Sequence, residues 1–291
     1  MLLCHPFLAL LVVCGLAEDK PAAYPRADLL VEPVDLAKPE RAKQFRILDA
    51  RSMDKYKQGH VPGAVWVDHD AWAKKYPDTA DSADWGREIG ELGIGNDTKV
   101  VIYDDARFNR AARIWWLLRA AGIRDVRLLN GGWKGWQDAG GAVTKDIPKI
   151  EPVKMEVNYQ KDLVATKDFV LKALEGKKVQ IIDARSKEEY VGHDKRAKRG
   201  GAIPGARHLE WSNAIDPKTQ RFKSATELTK LFKNAEIDPR KPCTSYCQSG
   251  GRAAVMAFTL ELMGGKDVRN YYKSWAEWGD ADDTPIERPR K

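Results

Sequence analysis

Short apolar runs closed by polar or turn residues alternate along this chain with longer segments of mixed apolar and polar positions. Ile47-Leu-Asp-Ala-Arg-Ser52 is one such run, and Ile181-Ile-Asp-Ala-Arg-Ser186 repeats it almost letter for letter. Each predicts a short strand that stops at Asp-Ala-Arg. A helix or turn around Tyr56 or Tyr190 follows, then a Pro-Gly-Ala bend. In the second copy Ser224-Ala-Thr-Glu227 carries the capping-box pattern that opens a polar-flanked helix. The stretch from Lys241 to Cys247 alternates in polarity and predicts another strand, and the apolar residues Ala254, Met256, Phe258, Leu260 and Leu262 predict a helix starting near Arg252. Between them lies the loop Gln248-Ser249-Gly250-Gly251. Strands alternating with helices predict an α/β fold with a mainly parallel sheet, whose ligands sit beyond the carboxyl ends of the strands.

The pattern occurs twice. Gly59-His-Val-Pro-Gly-Ala64 returns as Gly201-Ala-Ile-Pro-Gly-Ala206, Arg110-Ala-Ala112 as Arg252-Ala-Ala254, and Trp133-Lys-Gly-Trp136 as Trp275-Ala-Glu-Trp278, all at an offset of 142 residues. Ile47 returns as Ile181 at an offset of 134, so the second copy carries an eight-residue insertion. A period this long means duplicated domains, not a solenoid. The expected division is a domain over 24–146, a linker over 147–162 containing Pro148 and Pro152, a second domain over 163–284, and a polar tail over 285–291. The recurring tryptophans read as wedges between helices, and Trp211 as a candidate for lining a cleft.

Charge changes the picture little. The formal charge is +7 over 291 residues, concentrated in the insertion at Lys195, Arg196, Lys198 and Arg199. So short a run, without a nucleic-acid motif, argues against nucleic acid and reads either as a solvated loop or as attraction for a small anion. No run reaches transmembrane length. Residues 1–17 form an apolar stretch ending in Gly15-Leu-Ala17, the pattern of a signal peptide, although its start lacks Lys and Arg. That reading predicts an exported, periplasmic protein, and a cytoplasmic one if the leader is not cleaved. Removal of the leader takes Cys4 and Cys14 and leaves Cys243 and Cys247. On one strand these lie roughly 13 Å apart, too far for a disulfide. Cys243 reads as a packed strand residue. The histidines are scattered, and no metal constellation appears.

The chemistry is expected at Cys247. A thiol where a strand runs through a glycine loop into a helix faces backbone N–H groups and the positive end of that helix, which favour the nucleophilic thiolate. Gly250 and Gly251 let the loop curl, and Arg252 adds a fixed charge at its rim. Four residues separate Cys247 from Arg252. Cysteine phosphatases and arsenate reductases place five there, so this cradle is smaller and better suited to a terminal sulfur than to a tetrahedral oxyanion.

The duplicated Asp-Ala-Arg and Pro-Gly-Ala elements, the Ser274-Trp-Ala-Glu-Trp-Gly279 box and the cysteine loop together resemble the tandem-domain rhodanese family of sulfurtransferases. The resemblance covers nearly all of the chain beyond the leader. It implies two rhodanese-like domains, with the catalytic cysteine only in the second; the repeat offset places Asp105 opposite Cys247 in the first, as a loop cap or an interface residue. It implies a two-step transfer without a cofactor. The Cys247 thiolate takes a sulfur from a small anionic donor, thiosulfate or 3-mercaptopyruvate, and a persulfide held by the backbone of Gln248 to Arg252 passes it to cyanide or a thiol. Gln248 and Ser249 are neutral where the thiosulfate branch carries cations. Ser249 matches a serine used for proton handling in the mercaptopyruvate branch, whereas Gln248, Gly251 and Arg252 do not match that branch. By the same resemblance Arg185 is a candidate substrate-binding residue, with a salt bridge to Asp183 as the structural alternative. Arg199 is a candidate second anion ligand, and His60 and Asp49 are candidates for proton transfer across the cleft. A persulfide carrier without turnover, and a cysteine phosphatase or arsenate reductase, remain the alternatives.

Overall fold

A computed structural model describes residues 23–76 and 83–289. The expected leader over 1–17 and the last two residues of the expected tail lie outside the described residues. The first half runs β1 (Leu30–Val31), α1 (Pro33–Leu36), α2 (Pro39–Ala42), β2 (Arg46–Asp49), α3 (Met53–Gln58), β3 (Val65–Trp66), α4 (His69–Lys75), α5 (Ala83–Glu91), β4 (Val100–Tyr103), α6 (Asn109–Ala120), β5 (Val126–Leu129) and α7 (Gly132–Asp138). The second runs α8 (Lys167–Gly176), β6 (Gln180–Asp183), α9 (Lys187–Tyr190), β7 (Arg207–His208), α10 (Ala225–Asn234), β8 (Cys243–Tyr246), α11 (Gly251–Leu262), β9 (Val268–Asn270) and α12 (Ser274–Trp278).

Each half forms its own parallel sheet, ordered β1-β5-β4-β2-β3 and β7-β6-β8-β9. The counterpart of the β1–β5 pairing in the second half is a single parallel bridge between Val164 and Asn270. Helices cover both faces, so the central strands are apolar without alternation: Val100 to Tyr103 are all buried. No helix among the described residues is long and apolar enough to cross a membrane.

The repeated motifs meet at one buried cluster in each half. Asp183 accepts from the Arg185 guanidinium, Nε at 3.0 Å and Nη2 at 2.6 Å, from the Arg185 N–H at 2.9 Å, and from the Tyr246 hydroxyl at 2.5 Å. Arg185 Nη2 also reaches the Gly201 carbonyl at 2.7 Å, and its guanidinium lies 4.3 Å from the Trp275 ring centroid. Asp49, Arg51, Tyr103, the Gly59 carbonyl and Trp133 repeat the arrangement, with the guanidinium 3.9 Å from the ring. Asp-Ala-Arg, the glycine before Pro-Gly-Ala, and the first tryptophan of each box are thus parts of a single packed unit.

The two halves share an apolar core. Helices α6 and α11 lie against each other, with Trp115 edge-on to Phe258 at 5.0 Å. Phe222 stacks on Phe108 at 4.4 Å and on Phe258 at 5.1 Å. Arg119 pairs with Glu261 at 2.5 Å across the same seam. All of α11 except Arg252 is buried. Its apolar residues therefore surround the helix instead of forming one stripe, the pattern of a helix enclosed on every side.

The segment expected to link the halves is a strap. Residues 147–160 contain no helix or strand, but Val153 N–H bonds the Gly90 carbonyl at 3.1 Å, and Asn158 and Gln160 bond the carbonyls of Ala121 and Ala120. The strap fits because α5 presents glycines to it: a Cβ on Gly90 would sit 2.2 Å from the Val153 carbonyl oxygen, and one on Gly86 2.6 Å from that of Met155. The expected polar tail is also docked. Thr284 is buried, the Trp278 indole bonds the Pro285 carbonyl, and Glu287 pairs with Ala202.

Gly90 offers a test of sign. Helix propensity alone makes Gly→Ala in a helix favourable by about 1 kcal/mol, whereas overpacking costs about 1–3 kcal/mol. Gly90→Ala is expected to lower the urea midpoint. A midpoint at or above the parent's would mean that the strap does not hold α5 this closely.

Candidate active site

Strand β8 ends at Tyr246, and Cys247 follows with 1% exposure. Gly250 adopts φ +84°, and a Cβ there would lie 2.8 Å from the Tyr272 carbonyl oxygen, so the loop closes on Tyr272 only with glycine at this position. Residues flanking β9 and α12 bolt the loop from behind. Cys247 N–H donates to Ser274 Oγ at 3.0 Å, while Trp275 N–H and Ala276 N–H donate to the carbonyls of Cys247 and Gln248, each at 3.0 Å. Asn270 Nδ2 holds the Gly250 carbonyl at 3.1 Å. Among the described residues, the backbone N–H groups of residues 248–253 donate to no acceptor.

The first half carries the matching loop, with a correction to the expected correspondence. Parallel registers pair Asp49 with Tyr103 and Asp183 with Tyr246. Trp133 N–H bonds the Asp104 carbonyl just as Trp275 N–H bonds that of Cys247. Asp104, not Asp105, therefore occupies the place of Cys247; Asp105 lies one residue further and pairs with Lys55. The repeat offset misplaces it because five residues separate Asp104 from Arg110 but four separate Cys247 from Arg252. The Asp104 carboxylate fills the cradle itself. Its Oδ1 accepts from the N–H groups of Ala106 and Phe108 at 3.0 Å each, and its Oδ2 from those of Arg110 at 2.8 Å and Ala111 at 2.9 Å. Burial pushes its pKa up, and these four donors work in the opposite direction.

The loop residues named from sequence gather around Cys247. Gln248 Nε2 donates to the Arg196 carbonyl at 3.0 Å, which brings the basic insertion to the loop's edge. Ser249 is exposed and faces Arg113. Arg252 does not stand free at the rim: its Nη1 and Nη2 grip the Glu189 carboxylate at 2.5 and 2.7 Å. Burial disfavours the Arg252 cation, but Glu189 and the charge of Cys247 carry its pKa above the ordinary value. Burial likewise pushes Glu189 up, yet Arg252 and the Ser186 cap bring it down to about 2. Cys243 is a packed strand residue whose thiol burial pushes up to about 12.

Four other expectations are corrected. Arg185 is 1% exposed, and its Nε and Nη2 are engaged with Asp183 and the Gly201 carbonyl, so the salt bridge to Asp183, the structural alternative, is the arrangement found. Arg199 spends its guanidinium on the carbonyls of Trp278, Gly279, Ala281 and Thr284, where it secures the chain after α12. His60 is fully buried in the first half, stacked on Tyr56 at 3.9 Å and bonded to its carbonyl at 2.9 Å. Asp49 is the buried partner of Arg51. Neither of the last two faces the second half.

Sequence reasoning missed Glu189, Arg113 and His69. Ser186 and Glu189 form a capping box, a pattern legible in the sequence, although the ion pair to Arg252 is not. Arg113, on α6 of the first half, places Nη2 3.4 Å from Ser249 Oγ and Nη1 3.5 Å from the Tyr272 hydroxyl, contacts that no local spacing announces. The His69 ring bonds Asp70 through Nδ1 at 2.9 Å; burial, then Arg113, pushes its pKa down to about 4.

Two substitutions test this geometry. Asp104→Ala leaves buried N–H groups unanswered, at about 1–3 kcal/mol for each. The variant is expected to lose several kcal/mol in urea and to regain more stability from sulfate than the parent does; equal responses to sulfate would mean that the loop is no anion cradle. Glu189→Gln leaves Arg252 unpaired, a loss of roughly 3–5 kcal/mol at neutral pH. Because the folded pKa of Glu189 lies below the ordinary 4.5, its contribution is present above 4.5 and lost as pH falls toward about 2. The gap between parent and variant should narrow across that window, and a gap independent of pH would contradict the pairing.

With this geometry in place, the similarities are specific. The rhodanese-like domain family matches residues 32–139 and again 166–281. The sulfur carrier protein TtuD of Thermus thermophilus is 36% identical over 247 residues, 79% of this chain and 86% of that protein. The thiosulfate sulfurtransferase of Azotobacter vinelandii is 31% identical over 264 residues, 89% of this chain and 97% of that enzyme. Among solved structures, the 3-mercaptopyruvate sulfotransferase SseA of Escherichia coli is similar at a TM-score of 0.74 and 27% identity, over 85% of this chain and 98% of that one.

Proposed function

The chain belongs to the rhodanese-like family, with two tandem domains, and from that premise we propose that it is a sulfurtransferase working through a persulfide on Cys247. The Cys247 thiolate attacks the outer sulfur of thiosulfate or the thiol sulfur of 3-mercaptopyruvate; with the latter the C–S bond breaks and its electron pair leaves as the enolate of pyruvate, which takes up a proton. With thiosulfate, the S–S bond of the donor breaks, its electron pair leaves with sulfite, and a Cys247 persulfide anion remains. Cyanide or a thiol then takes the outer sulfur and returns the thiolate, a double displacement with ping-pong kinetics.

One observation carries this reading. In the first domain the cradle is filled by a carboxylate that answers four N–H groups. In the second, a thiol stands at the same register, and the N–H groups of residues 248–253 have no acceptor among the described residues. A persulfide, Cβ–Sγ–Sδ, has the same number of atoms as the aspartate Cβ–Cγ–Oδ and the same single negative charge. Cys247 therefore becomes an Asp104-like anion when it gains one sulfur. Donors fixed in place before the reaction stabilise such a charge without reorganising. Burial of Cys247 also keeps the loaded sulfur away from water.

Intact-mass measurement tests it. After exposure to thiosulfate or 3-mercaptopyruvate the protein is expected to gain one sulfur, about 32 Da, and Cys247→Ala to gain none. Turnover of thiosulfate and cyanide is expected to be lost in the same variant. Loading without turnover favours a carrier, the role that the name of the Thermus relative describes. Loading that survives loss of Cys247 removes the proposal altogether.

A further inference from the structure

The catalytic domain has little positive charge left to hold a donor. Arg252 is bound by Glu189 and Arg185 by Asp183, and Arg199 is spent on carbonyls. Arg196 of the insertion pairs with Asp194 at 2.9 Å and lies 3.8 Å from Glu189. Both proposed donors nevertheless carry an anionic head group that must be held while the outer sulfur meets Cys247. A cation lying directly against the cysteine loop comes from the other domain.

Arg113 projects from α6 to the loop, with Nη2 3.4 Å from Ser249 Oγ. The approach is so close that a Cβ on Gly251 would lie 2.6 Å from Nη2. Among the described residues Arg113 makes no ion pair; its guanidinium lies 5.5 Å from the Tyr272 ring centroid, and its buried Nε has no hydrogen-bond partner. A guanidinium with a buried, unanswered donor is one prepared for an acceptor. It borders an open cleft of about 310 Å³ between the domains, together with Ser249, Tyr272, Lys273, Tyr76 and Ala73. Lys273 adds a second cation, held loosely at 3.9 Å from Glu277. Glu277 lines the same cleft, so two cations stand against one carboxylate and leave the opening net positive, two residues along the chain from Cys247.

We propose that Arg113 of the non-catalytic domain is the donor-binding residue of the site, gripping the sulfonate or carboxylate end of the donor while the outer sulfur faces Cys247. This assignment rests on the sulfur-transfer reading above and deepens it. It gives the first domain a part in catalysis although that domain has no nucleophile, and it makes the second domain insufficient alone for anionic donors. With thiosulfate, Arg113 stays beside the group that becomes sulfite, so its charge matters while the S–S bond breaks and not while cyanide removes the stored sulfur.

The test separates the two half-reactions in the full chain. Arg113→Gln is expected to lower kcat/KM for thiosulfate about 10- to 100-fold, chiefly through KM, the scale set by a charge-assisted hydrogen bond. Arg113→Lys should recover much of that loss. Protein already carrying the persulfide should pass its sulfur to cyanide at the same rate in parent and variant. A loosened domain interface would slow both steps, so equal slowing of loading and discharge overturns the assignment, as does a thiosulfate KM unchanged in Arg113→Gln. Should the parent protein itself take no sulfur from any donor, the sulfur-transfer reading falls and this assignment with it. Should the parent load normally and Arg113→Gln match it, only the assignment falls.

Discussion

An aspartate and an arginine two residues apart, both sealed from water, are tolerable only when nearly every donor and acceptor is answered. Asp183 meets that condition with Arg185 and Tyr246, and Arg185 with Asp183, the Gly201 carbonyl and the face of Trp275. Each partner belongs to a different element, so the pair fixes the end of β6, the bend at Pro204, the end of β8 and the start of α12 relative to one another. Cys247 directly follows Tyr246, and its carbonyl is held by the N–H of the same Trp275 that covers Arg185. The placement of the thiol is therefore tied to a buried ion pair. A polar cluster of this kind contributes geometry more than net stability, because most of its Coulomb energy offsets the cost of desolvation.

The duplication lets the molecule display one scaffold with two fillings. Both halves carry the Asp–Arg–Tyr cluster and the tryptophan lid, and in the first the loop turns four N–H groups inward onto Asp104. An inward-facing row of donors needs an acceptor of negative charge. The first domain supplies it permanently as Asp104, over a loop one residue longer. In the second, the shorter Cys247 side chain stands at the same register, and the N–H groups of residues 248–253 have no acceptor among the described residues. One residue type at one register thus distinguishes a cradle that its own carboxylate closes from one that a thiol borders.

The tandem arrangement also follows from packing. Helix α11, which carries the loop, is buried on every side, and much of its cover comes from α6 of the first domain through Trp115 and the phenylalanine stack. The cysteine loop thus rests on a helix whose core is completed by the other domain. The same contact brings Arg113 beside Ser249, so the seam that supplies apolar burial also supplies the free guanidinium at the opening.

Periodicity, the repeat and the glycine loop were enough to read two α/β domains with parallel sheets and to place Cys247 between a strand and a glycine loop, because those features depend on neighbours along the chain. Strand alternation, a capping box and a strand–loop–helix turn are local, and their physics is written in adjacent residues. What lay beyond reach were the destinations of long polar side chains. Arg185, Arg199 and Arg252 read as cations near a cysteine, and only folding revealed that each is neutralised or spent, by Asp183, by four carbonyls and by Glu189. His60 read as a turn residue facing a cleft and is instead enclosed beneath Tyr56. Asp104 was hidden by a one-residue difference in loop length that register resolves and alignment of letters does not. Arg113 is 136 residues from Ser249 along the chain. The sequence alone determined which backbone turns and which thiol the molecule has; the tertiary structure decided which charges are free to use them, because a charge is available only where folding leaves it without a partner.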